Sequence, residues 1–126
     1  MRAVDTNILV RLITRDDQRQ LATAENYIKR GAWISTLVLA ETVWVLGAVY
    51  DLGHNDIATV VEMLLSHEHL SLQDPEVVSA ALEQYQKVPA LGFTDCLVLE
   101  IARKAGHLPL GTFDKRLAGV DGAERL

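Results

Sequence analysis

Hydrophobic positions fall at helical spacing along most of the chain, and short apolar stretches separate the helical segments. Ile8, Leu9, Leu12 and Ile13 predict a helix over Asn7–Thr14. Leu21, Ala24, Tyr27 and Ile28 predict a second over Asp17–Arg30, closed by Gly31. From Thr36 the spacing turns helical again, ending near Asp51 and Gly53, and Ile57, Val60, Val61, Leu64 and Leu65 line one face of a helix from Asn55 to Ser66. Asp74-Pro75-Glu76 starts another that runs to about Gln86, because a proline is tolerated where the first helical N–H has no partner. Gly92-Phe93-Thr94 opens a helix that stops at Gly106, and Asp114–Ala118 is a helical turn. Strands are predicted at Arg2–Asp5, Trp33–Ser35, Leu70–Gln73, Leu108–Thr112 and Ala123–Leu126. Short strands alternating with helices predict an α/β domain: a short, mostly parallel central sheet flanked by helices, with more helix than strand.

The most apolar window, Ile34 to Tyr50, contains Glu41 in its middle and is shorter than the roughly 20 apolar residues a membrane span needs. It reads as a buried helix, and no membrane association is expected. The 126 residues, 49% of them hydrophobic, fit a single domain over 1–126 with a core that needs no cross-links. The lone Cys96 can form neither an internal disulfide nor a zinc cluster and reads as a small buried residue. Asp5, Asn7 and Arg11 interrupt any leader-like apolar run, so a cytoplasmic location is expected. Seventeen acidic against twelve basic residues give a net charge of −5, which repels phosphate backbones at long range. Any nucleic-acid contact must therefore be local.

Four acids stand in apolar surroundings: Asp5 after Ala3-Val4, Glu41 within Leu37 to Leu46, Asp95 before Cys96-Leu97-Val98, and Asp114 after Phe113. Asp5 and Asp114 end predicted strands, while Glu41 and Asp95 lie in early helical turns. In a parallel α/β sheet the carboxyl ends of strands and the starts of the following helices share one edge, so the four could converge. Two carboxylates about 4 Å apart repel by about 4 kcal/mol at an effective dielectric of about 20, so either some are protonated or a cation neutralises them. Oxygen ligands without His or Cys select Mg²⁺ or Mn²⁺, and such a site can activate water and stabilise a leaving oxygen in phosphodiester hydrolysis. The three aspartates also precede helical segments, where an Asp serves as a cap or dipole partner. Glu41 has apolar neighbours in nearly every direction around its helix and is expected to be half-buried, which would require a partner.

Asp5-Thr6-Asn7 after a short strand, Glu41 in Thr36-Leu37-Val38-Leu39-Ala40-Glu41, Phe93-Thr94-Asp95-Cys96-Leu97, and Thr112-Phe113-Asp114-Lys115-Arg116-Leu117 together resemble the PIN-domain ribonucleases. The branch most similar is the VapC-type toxins of bacterial toxin–antitoxin pairs, and the resemblance runs from Val4 to Leu126. It implies a PIN-like fold, an endoribonuclease dependent on Mg²⁺ or Mn²⁺, an RNA substrate, a cognate antitoxin at the active-site groove, and a homodimer. It places Asp5, Glu41, Asp95 and Asp114 on the family's acidic, metal-holding positions. Asn7 and Thr112 fall where the family has polar residues that orient carboxylates or water.

Arg11, Arg15, Arg19, Lys115 and Arg116 could form a local basic rim for RNA, or simply a solvated surface. His67 and His69 flank Glu68 without a third ligand nearby, and Glu100 and Lys104 have ion-pair spacing that makes Glu100 structural. Dinucleotide binding, a phosphate loop, an aspartyl phosphatase and a nucleophile elbow all lack their residues. A non-catalytic module of the same fold, holding RNA or protein, is the alternative. A half-buried Glu41 argues against it.

Overall fold

The computed structural model describes residues 1–126, with seven helices and five short strands. In chain order these are β1 (Arg2–Ala3), α1 (Thr6–Thr14), α2 (Gln18–Ile28), β2 (Ala32–Ile34), α3 (Thr36–Ala48), α4 (His54–Ser66) and β3 (Leu70–Leu72). There follow α5 (Pro75–Lys87), α6 (Phe93–Ala105), β4 (Leu110–Thr112), α7 (Lys115–Ala118) and β5 (Ala123–Arg125). The chain divides into two units, Met1–Pro75 and Glu76–Leu126.

In the first unit β1, β2 and β3 form a parallel ladder in that order, with Arg2 opposite Ala32 and Ala32 opposite Leu70. The Val4 N–H donates to the Trp33 carbonyl at 3.1 Å, holding the chain extended up to the start of α1. Helix α1 packs on α2 and α3, and α4 lies on β3. Leu9, Ile34, Leu39, Leu46, Val61 and Leu64 are its most deeply buried large side chains. In the second unit β4 and β5 pair in parallel, with Thr112 opposite Arg125. Pro109 has no N–H to donate, and the ladder begins at Leu110, whose N–H reaches the Gly122 carbonyl at 2.8 Å. Tyr85 of α5 meets Phe93 of α6 edge to face, with ring centroids 5.7 Å apart. The expected α/β architecture with short parallel strands and predominant helix is what the chain adopts.

Cys96 is buried, as its surroundings in α6 suggest, and burial pushes its thiol up to about 11, with Asp95 and Glu100 adding to the effect.

Helix α3 departs from expectation. Ser35 caps it, its Oγ accepting from the Val38 N–H at 3.1 Å, and Leu39, Thr42, Val43 and Leu46 form the buried face. The Thr42 hydroxyl donates to the Val38 carbonyl, which satisfies it inside the core. Leu37 and Trp44, however, are 76% and 65% exposed, and Glu41 lies between them on the same open side. The helix is therefore not buried all round, and Glu41 is exposed rather than half-buried. Apolar residues around a helix do not fix its buried face when part of the apolar surface is left open. Helix α4 leaves no such stripe: Ile57, Val60, Val61 and Leu64 are all buried.

The buried carboxylate of the molecule is Glu100 on α6, only 6% exposed. Its partner is not Lys104 but Arg103, whose Nε donates to Oε1 at 3.1 Å, while Lys104 pairs with Glu76. Oε2 of Glu100 is buried without a hydrogen bond. Residues three apart meet on a helix as readily as residues four apart, and here Arg103 is further anchored by a 2.6 Å bond to the Asp121 carbonyl.

The two faces of α3 give a direct test. Leu39→Ala should destabilise by about 2–5 kcal/mol in denaturant unfolding, as a cavity in a close-packed core does. Leu37→Ala should stay within about 0.5 kcal/mol of the unchanged protein.

Candidate metal and substrate site

Three of the four candidate acids stand at helix starts, where the first backbone N–H groups have no partner within the helix. Asp5 is the residue before α1; its backbone is extended, and Oδ1 accepts from the Thr6 N–H at 2.7 Å. Asp114 plays the same part before α7, its Oδ1 accepting from the Arg116 N–H at 2.8 Å and the Leu117 N–H at 3.3 Å. Asp95, in the first turn of α6, reaches back with Oδ2 to the Gly92 N–H at 3.3 Å. All three thus engage backbone through one carboxylate oxygen. The other oxygen, Oδ2 of Asp5 and Asp114 and Oδ1 of Asp95, accepts no hydrogen bond from the protein. Glu41, on the open side of α3, makes no hydrogen bond or ion pair through its carboxylate.

Within the first unit, Asp5, Asn7 and Glu41 line one cleft of about 370 Å³, whose walls are completed by Val45, Val49 and Tyr50. The route to this is local: β1 leads through Val4 into the Asp5 cap, and β2 leads through the Ser35 cap into α3, so both helix starts lie at the carboxyl edge of one parallel ladder. In the second unit β4 leads in the same way into Asp114, with the Thr112 Oγ1 accepting from the Asp114 N–H at 3.0 Å and so fixing the turn between them. The structure gathers no group of three or more His, Cys, Asp or Glu side chains that could hold a metal ion. Asp5 and Glu41 form the acid pair that the structure brings onto one cleft. Their unengaged oxygens, in a cleft lined by no His or Cys, fit a hard cation such as Mg²⁺ or Mn²⁺ that retains several waters.

The basic residues divide. Arg11 lines the acid cleft, Arg19 lines the cleft next to it, and Arg15 lies elsewhere, in a larger cleft of about 540 Å³ with Glu25, 3.9 Å from its Nη1. His67 and His69 line that larger cleft too, with His69 3.1 Å from Glu68, and none of the six candidate residues is there. Arg116 stands 3.9 Å from the Asp114 carboxylate. Asp16 and Tyr50 had no signal in the sequence: they meet Arg11 across separations of 5 and 39 residues, and only the packing of α1 on α3 brings Tyr50 there.

The family comparison matches the PIN domain over residues 2–123, across both units. No curated protein and no solved structure matches the chain.

Capping and charge can be separated by substitution. Asn caps a helix about as well as Asp, so Asp114→Asn should leave the thermal midpoint nearly unchanged, whereas Asp114→Ala should cost about 1 kcal/mol. A thermal melt of the two variants checks this, and a large loss in the Asn variant would show that the carboxylate charge itself holds the fold.

Proposed function

Because the chain belongs to the PIN domain family, whose domains are generally nuclease-like and typically work with divalent metal ions, we propose that it is a metal-dependent endoribonuclease and the VapC-type toxin of a toxin–antitoxin pair. Asp5, Glu41, Asp95 and Asp114 hold Mg²⁺ or Mn²⁺ in this reading. The observation that carries it is that Asp5, ahead of α1, and Glu41, on α3, line one cleft, each with carboxylate oxygen that accepts no hydrogen bond from the protein. This support is independent of burial. It stands although Glu41 is exposed, and it weighs against a non-catalytic module of the same fold.

The bound cation supplies activation of a water and neutralisation of charge on the leaving oxygen. The chain's own residues do the positioning. Asp5 is held at the start of α1 by the Thr6 N–H, which fixes its carboxylate on the cleft, and α3 contributes Glu41 to the same cleft. Asn7, exposed on the first turn of α1, offers both an amide donor and a carbonyl acceptor for water or a phosphate oxygen. Thr112 acts through Asp114 by fixing its backbone.

The partners follow. A separately encoded antitoxin would inhibit by placing a basic side chain among the carboxylates, in competition with the cation. A homodimer is supported by two large apolar side chains, Leu37 and Trp44, left open on one side of α3, since exposed apolar surface marks interaction sites when it gathers on one face.

Asp5→Asn and Glu41→Gln should each abolish cleavage of RNA in Mg²⁺ or Mn²⁺ while circular dichroism stays unchanged; full activity in either purified variant overturns the assignment. Metal at a hundred times its dissociation constant should raise stability by about 2.7 kcal/mol, seen as an upward shift of the thermal midpoint.

Light scattering should give a dimer that Trp44→Glu converts to a monomer, and inhibition by the antitoxin should weaken as Mg²⁺ is raised. A chain that is monomeric before substitution removes the dimer.

A further inference from the structure

Arg11 lies one turn beyond Asn7 on α1 and, like Asn7, lines two clefts at once: the acid cleft of Asp5 and Glu41, and an adjoining one of about 440 Å³ that includes Arg19, Gln20 and Thr23. Its guanidinium is fixed by three bonds. Nε donates to Gln20 Oε1 at 2.7 Å, and Nη1 donates to Asp16 Oδ1 at 2.7 Å and to Tyr50 Oη at 3.1 Å. Tyr50 in turn donates to Asp16 Oδ2 at 3.0 Å, which closes a three-membered network.

Such a network is more than an exposed ion pair requires. A guanidinium carries five N–H donors, and three are engaged here; neither N–H of Nη2 donates to a protein acceptor, and the side chain remains 27% exposed. The group is therefore held in one orientation with a two-donor end open, beside two carboxylates that also have open oxygens. A planar, permanently charged fork of this kind matches the oxygens of a phosphate. Asp16 pairs one Nη1 donor, so contact through Nη2 rather than a long-range field would hold the phosphate, in keeping with a chain whose net charge is −5.

We propose that Arg11 is a phosphate-holding residue: Nη2 donates to a non-bridging oxygen of a backbone phosphate of single-stranded RNA next to the bond cleaved at the acid cleft, with Asp16 and Tyr50 as positioning residues. This rests on the reading of the acid cleft as a ribonuclease site. The phosphate is a neighbouring one because Arg11 is a full helical turn further along α1 than Asn7, and it stands where the acid cleft passes into the next.

The test uses the full chain and a labelled random-sequence single-stranded RNA pool, with cleavage followed in Mn²⁺ and binding followed in EDTA on the Asp5→Asn background. Arg11→Ala should raise KM about tenfold or more with kcat little changed, as loss of one charge-assisted hydrogen bond does. It should also reduce the salt slope of binding by about 0.7, one phosphate on a single strand. Arg11→Lys should restore the salt slope but only part of KM, because the ammonium lacks the fork. Tyr50→Phe should raise KM without changing the slope. If Arg11→Ala lowers only the thermal midpoint and leaves KM and slope untouched, Arg11 is a structural pin and the proposal is overturned. Should Arg11→Ala fail to fold, the Lys and Phe variants decide, and unchanged KM in both overturns it equally. Absence of any cleavage by the unsubstituted chain would overturn the ribonuclease reading instead, and the slope in EDTA would still decide whether Arg11 meets phosphate.

Discussion

A carboxylate at a helix start has two oxygens and one urgent structural task. The first N–H groups of a helix point away from its body with nothing to receive them, and the helix dipole leaves partial positive charge there. Asp5, Asp95 and Asp114 answer that need with one oxygen each. The result is an anionic group whose position is set by backbone rather than by a flexible side chain, and whose second oxygen accepts no hydrogen bond from the protein. For Asp5 and Asp114 this happens at the carboxyl end of a parallel strand, β1 and β4 respectively, which runs into the helix that follows it. Three of the four candidate acids are therefore residues that helix starts already require.

Capping also bears on stability. Unpaired carboxylates brought together repel, and a fold relying on their proximity would be destabilised when no cation is present. Each cap contributes about 1 kcal/mol locally and does not depend on a cation. Glu41 differs, since it caps nothing and has no partner. Of the acids on the first unit's cleft it is the one with no structural reason to be where it is, so substituting it isolates chemistry from folding more cleanly than substituting Asp5.

Much of the architecture was legible because local rules and packing agree. The α2 start at Asp17, the α5 start at Pro75 and the α6 stop at Gly106 are set by groups within a few residues, and each lies within a residue or two of its expected place. Legibility ended where the outcome depends on distant partners. Helix α3 is apolar on nearly every side, so periodicity held no information on which face is covered, and the expectation of a half-buried Glu41 followed from composition alone. The buried acid is Glu100, flanked by Leu99 and Ile101; its partner on the same helix was misassigned by one position. The Arg11, Asp16 and Tyr50 network joins positions that no local pattern relates.

Helix α3 ties these points together. Its inner face secures the first unit through Leu39, Thr42, Val43 and Leu46, and its side toward α1 offers Glu41, Val45 and Val49 to the cleft. Its outer stripe is Leu37 and Trp44. Glu41 sits at the boundary of the last two, between an apolar stripe and a polar cleft. Whatever covers Leu37 and Trp44 must pass within one helical turn of that carboxylate, since residues three and four apart share a helix face. Covering the stripe would remove solvent from beside Glu41 and strengthen every electrostatic interaction it makes, with a cation or with a basic side chain alike. Any association over Leu37 and Trp44 would for that reason couple to the electrostatics of the cleft through one helix, without requiring a change in its conformation.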